Sequence, residues 1–143
     1  MVGESTGPVT LRLERDGREL WRSSASGIRP LAVAILTLGE ELRGAKAYDK
    51  VVGLASAKLL VYAGVVEAEA DVASVPAARF AQQAGLALRA VVTTPRILNR
   101  EQAGLCPMET LALEVQPPEV FFQAVLTVLG LGQGSADDPQ ETG

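Results

Sequence analysis

One cysteine, no histidine and a few charged residues set beside glycine or proline are what this sequence offers to chemistry. Cys106 stands directly before Pro107, a residue that suits the first turn of a helix. A thiol at a helix N-terminus is shifted toward its thiolate, the nucleophilic form. Against that, the chain has no histidine to serve as its base, and Glu109 close behind opposes ionisation. Free cysteines are also commonly small buried hydrophobes, and Glu109 can simply complete a first-turn cap. Cys106 therefore stands between a tentative catalytic nucleophile and a core residue.

A second set of candidates suits an anion. Asp49 and Lys50 open an apolar stretch read as a helix over Lys50 to Ala63. Asp49 reads as the N-cap, worth about 1 kcal/mol, and also as a group that orients a ligand. Lys50 would set a cation against the positive end of the helix dipole, unfavourable by about a few tenths of a kcal/mol unless an anion lies nearby. It reads as an anion contact, with a solvated lysine or a nucleophile as the other accounts. Gly53 inside that helix costs roughly 1 kcal/mol relative to alanine, which close packing would offset. A ligand pressing on the helix is the second account. Arg29, before Pro30, starts an earlier helix and either reaches the same anion or lays its aliphatic stem over the sheet. Asn99 and Arg100 lie in a polar loop that closes over a ligand or only pins itself.

These residues need a frame, and composition bounds it. At 143 residues the chain has the length of one domain, with 48% hydrophobic but only 4% aromatic residues. Leucine, valine and alanine must fill the core. The net charge of −4 has the wrong sign for a protein that neutralises nucleic-acid phosphates. The apolar run Val51 to Val66 is interrupted by Lys58 and is shorter than the roughly 20 residues that cross a bilayer. No start resembling a secretory signal is present, and a single cysteine fits a reducing compartment, so a cytoplasmic location is expected.

Along the chain, Val9, Leu11 and Leu13 alternate with polar residues up to Asp16-Gly17, a positive-φ turn pair, and Leu20 and Trp21 follow. The pattern predicts a β-hairpin with Leu13 opposite Leu20. Pro30 starts a helix carrying Leu31, Ile35, Leu38 and Leu42, closed by Gly44. Ala45 to Tyr48 reads as an inner strand and Lys50 to Ala63 as a helix ended by Gly64. Val65 to Val72, with Glu67, Glu69 and Asp71 alternating, reads as a half-buried strand. Ser74 and Pro76 start a helix with Ala77, Phe80, Ala81 and Ala84 inward, and Gly85 stops it before a β run over Leu86 to Thr93. Pro95 to Gly104 reads as a loop and Pro107 as the start of a short helix. A last helix from Glu119 to Leu129 carries an apolar stripe of Phe121, Val125 and Val128, a face that suits association with copies of the same chain. Residues 1–8 are expected to be flexible, 9–130 to form one domain, and 131–143 to be a disordered acidic tail.

Asp49-Lys50-Val51-Val52-Gly53, followed by Asn99, Arg100 and Gly104-Leu105-Cys106-Pro107-Met108-Glu109, resembles domain-of-unknown-function family 1893 from about Leu11 to about Val115. Leu54 departs from the pattern, where the family often carries a lysine. The resemblance implies an α/β, cytidine-deaminase-like three-layer sandwich: a mixed central sheet with helices on both faces, opening with a β-hairpin. Zinc deaminases set a His or Cys plus a Glu at one helix start and two Cys at the next. The corresponding starts here read Ile28-Arg29-Pro30 and Asp49-Lys50-Val51. With no histidine and one cysteine, the chain cannot supply the three protein ligands of such a zinc, so it is not a zinc-dependent deaminase.

The expectation is therefore a metal-free, cofactor-free module that binds a small anionic or nucleotide-like ligand through Arg29, Asp49, Lys50, Gly53, Asn99, Arg100 and Glu109, with no nucleic acid or membrane as partner. The alternatives are an enzyme using Cys106 or Lys50 as nucleophile, and a protein that self-associates through its last helix into a homo-oligomer.

Overall fold

The computed structural model describes residues 8–25, 27–95, 111–112 and 117–131. It opens with strands β1 (Leu11–Arg15) and β2 (Arg18–Ser23), joined by Asp16 at φ 56° and Gly17 at φ 77°. Two successive positive φ values are what a two-residue hairpin turn demands. The pairing differs from a straight count outward from the turn. Glu14 faces Glu19, but Leu13 faces Trp21, because the register slips between Leu13 and Glu14. Leu20 is the extra residue of that bulge, and Leu13 meets the indole instead.

Helix α1 (Arg29–Leu38) begins with proline in its first turn, as expected, but ends at Gly39 rather than Gly44. The chain then tightens into a 3₁₀ helix over Gly39–Leu42 that keeps Leu42 fully buried. Strand β3 (Lys46–Asp49) follows, and here the largest difference arises. Val51–Val52 is not the first turn of a helix but a short strand, β4, whose residues pair with Val72 and Ala73. Two β-branched residues favour extended backbone when a strand partner is at hand. Helix α2 (Leu54–Ala63) therefore starts later, with Gly53 as its N-cap, and Gly64 ends it in the left-handed conformation. Strand β5 (Glu67–Ser74), helix α3 (Val75–Ala84) and strand β6 (Ala87–Thr94) fall close to their sequence expectations. Ala84 is exposed, however, and Ala77 and Ala81 carry the buried face of α3.

The six strands form one mixed sheet in which β1 is antiparallel to β2 and β3, whereas β3, β4 and β6 run parallel to β5. The connections β2–α1–β3, β3–β4–α2–β5 and β5–α3–β6 all step the same way across it. Right-handed crossovers stepping one way deliver their helices to one face. Against the expected helices on both faces, the described helices cover one face only. The other is lined by Arg12, Glu14, Lys46, Tyr48, Glu67, Glu69 and Arg89. Cross-strand pairs Lys46–Glu67 at 3.5 Å and Arg89–Glu69 at 2.8 Å offset charge along that open face.

Helix α4 (Pro118–Leu129) packs on α2 and α1 as a further helical layer. Phe121 and Val125 of the apolar stripe are buried, whereas Val128 is 62% exposed, and Phe122 and Leu126 complete the inner face. The Phe122 ring stacks on Tyr62 of α2 at 4.7 Å. One main core thus runs from Leu11 and Leu13 of the hairpin through Leu31, Leu59 and Leu60 to Phe121.

Candidate functional site

Because β2 runs parallel to β3 through two antiparallel steps, the carboxyl ends of β2, β3, β5 and β6 share one edge of the sheet. Helices α1, α2 and α3 begin along that edge, each bringing the partial positive charge of its free N–H groups. Ser74 caps α3, its Oγ accepting from the Ala77 N–H at 3.1 Å. Neither Ile28 of α1 nor Gly53 of α2 offers a capping side chain.

At the start of α2 the polar group is Asp49, the last residue of β3. Its carboxylate accepts hydrogen bonds from the Val51 N–H and the Ser56 hydroxyl, so it joins the strand end to the first turn of α2 without being the N-cap. The residue is half-buried, its carboxyl being more enclosed than the rest. Burial pushes the carboxyl up to about 7, against the two hydrogen bonds, which favour the charged form. At neutral pH Asp49 is divided between an acceptor and a donor–acceptor state. On the adjoining residue, burial raises the Tyr48 phenol, and its hydrogen bond to Asp71 acts in the same direction.

The other sequence candidates fall apart from Asp49 to different degrees. Gly53 is beside it, but as a buried N-cap at φ −94°, not a helix-interior glycine, so the interior penalty does not arise. Its carbonyl accepts from Ala57 N–H at 2.9 Å. Lys50 is exposed between β3 and β4 and lies in no helix turn, which removes the electrostatic anomaly expected of it. Its backbone is structural: the N–H donates to Thr10 O at 2.9 Å, and the carbonyl accepts from Asp71 N and Val72 N at 3.1 Å each. Arg29 is the first residue of α1, but its guanidinium donates to the Leu129 carbonyl at 2.8 Å. It places a cation on the negative end of α4. Asn99, Arg100, Cys106 and Glu109 lie outside the described residues.

One residue escaped the sequence reading. Lys58, which interrupts the apolar run in the sequence, is 1% exposed in the middle of α2. Its Nζ donates to the Ala112 carbonyl at 2.5 Å and lies 5.9 Å from the Phe80 ring and 5.7 Å from the Phe121 ring. It stands one helical turn beyond Leu54, the position where the family resemblance places a lysine. The available signal was its flanks: Ala57 before it and Leu59-Leu60 after it leave a helical lysine few routes to water.

Among the described residues no three His, Cys, Asp or Glu side chains are grouped so as to hold a metal ion, and no helix is long and apolar enough to cross a membrane. A recess of about 670 Å³ lies away from Asp49, between α1, α2 and α4, with Ile35, Tyr62 and Phe122 among its walls.

Sheet, crossovers and edge define an α/β protein with a hairpin start, a mixed six-stranded sheet and its helix starts gathered at one end. The chain belongs to the family described as domain of unknown function DUF1893, whose model, TM1506, matches residues 6–129. It is similar to the crystal structure of a DUF1893 family protein (TM1506) from Thermotoga maritima, with 29% identity and a TM-score of 0.76 over 84% of this chain and 80% of that one. No curated protein matches the chain.

Proposed function

We propose that this protein is a non-catalytic binding module, a metal-free relative of the cytidine-deaminase-like fold, that holds a small anionic or nucleotide-like ligand where α2 begins. The observation that carries the reading is the Asp49 carboxyl, enclosed between the Val51 N–H and the Ser56 hydroxyl at the sheet edge where three helices start. Ligands of open α/β sheets collect at the carboxyl ends of the strands, where helix N-termini favour negative charge. The protonated form of Asp49 can donate to an anionic oxygen, and Gly53 leaves its helix start without a side chain. Asn99, Arg100 and Glu109 complete the proposed ligand set from outside the described residues. Arg29 supports the site indirectly, through α4, and Lys50 contributes its backbone.

Thermal unfolding of wild type, Asp49→Ala and Lys50→Ala against nucleosides, nucleotides, sugar phosphates and small dicarboxylates tests the reading. A ligand at 100 times its dissociation constant adds about 2.7 kcal/mol, several degrees for a domain of this size. The expected result is a shift with one compound class that is lost in Asp49→Ala, which has neither donor nor acceptor, and kept in Lys50→Ala. No shift with any compound, or a shift indifferent to Asp49→Ala, removes the site. Selective alkylation of Cys106 near neutral pH would instead favour an enzyme with a thiol nucleophile.

For self-association through the last helix, Phe121 and Val125 of its apolar stripe serve the protein's own core, which leaves Val128 as the exposed member of that stripe.

A further inference from the structure

The two edges of the sheet are unlike. β2 carries Arg18, Glu19 and Arg22 among its six residues, a charged edge of the kind that discourages strand pairing. β6 pairs with β5 along one side, and among the described residues no strand pairs with its other side. It is eight residues long and holds a single charge, Arg89, whose guanidinium is bound to Glu69 of β5 at 2.8 Å. No proline or lysine interrupts it. Val91 is 84% exposed and Val92 53%. Val92 also ends a register row that runs from Val51 through Val72, with Val51 itself 40% exposed. An apolar row therefore reaches the β6 edge, which no strand covers among the described residues.

The groups left over define the partner: backbone donors and acceptors in a row, flanked by valine, with no free charge. A second β6 meets that description. Antiparallel pairing about a two-fold axis is self-complementary, each residue meeting its counterpart in both directions. Centred on Val91, it sets Ala90 opposite Val92 and Arg89 opposite Thr93, so no like charges meet and each Arg89 keeps its Glu69. We infer that the free edge of β6 docks on the same edge of a second copy of this chain, joining two six-stranded sheets into one. A contact confined to a strand edge belongs with small, transient interfaces, so the association is expected to be weak and to show only at high protein concentration.

Sedimentation of the full chain up to several hundred micromolar, with and without Val91→Lys and Val92→Lys combined, tests this. Both positions are more than half exposed, so the variant is expected to melt with the wild type. The expected result is a monomer–dimer equilibrium weakened at least about tenfold by the lysines. Hydrogen exchange of β6 amides is expected to slow as wild-type concentration rises. A wild type that stays monomeric, or a dimer that ignores the lysines, overturns the inference. The readout is mass, so neither outcome bears on ligand binding at Asp49.

Discussion

Asp49 shows how much one enclosed carboxyl alters behaviour with pH. Its folded-state value near 7 lies above the ordinary 3.8, so between those limits the native state binds more protons than the unfolded chain. Stability therefore falls as pH rises from about 4 to about 7 and is level above that, the reverse of a salt-bridged carboxylate. At about 1.4 kcal/mol per unit, the effect is capped at a few kcal/mol. Denaturant melts at pH 4.5 and 7.5 are expected to show the decline in wild type and a flatter profile in Asp49→Asn, whose carbonyl can still accept from Val51 and Ser56. Sequence identified the residue but not its state. Asp49 was visible as a polar group before an apolar stretch, whereas its enclosure depends on Ser56 and on where α2 begins.

At the scale of elements, turns were the most legible because their chemistry is local. Asp16-Gly17, Pro30, Ser74 and Gly85 each act through their own backbone or one neighbour, and the structure uses them close to where their types indicate. Pairing was less legible. The slip that gives Leu13 to Trp21 and the recruitment of Val51–Val52 into β4 are settled by partner strands, which no local pattern contains. Gly64 joins both kinds of information. It ends α2 at φ 90°, and a Cβ there would meet the Arg43 Cα at 3.0 Å, where Gly44 N–H also donates to Gly64 O at 2.8 Å. Gly64→Ala is expected to destabilise by about 1 kcal/mol or more, read as a lower melting temperature with an unchanged denaturant slope.

Across the whole molecule, the open sheet face was not legible. Alternating acidic residues in β5 announced a polar side, but which crossovers would leave it uncovered is a property of topology. Lys58 was hidden for a related reason, since its acceptor lies in a distant segment. Replacing it tests what the buried ammonium does. Lys58→Ala is expected to cost about 2–5 kcal/mol, because it leaves a cavity and strands the Ala112 carbonyl, whereas Lys58→Met, which fills the space, is expected to cost less; chemical denaturation separates them. The same bond imposes an order on synthesis. A growing chain that has completed α2, β5 and α3 still lacks the Ala112 carbonyl and the Phe121 ring. Settling α2 onto the sheet at that stage would enclose the ammonium without either of them, with Phe80 as the ring already at hand. The packing of α2 is thus expected to tighten on the ribosome as the last third emerges, so that a lysine in mid-helix ties early folding to residues made later.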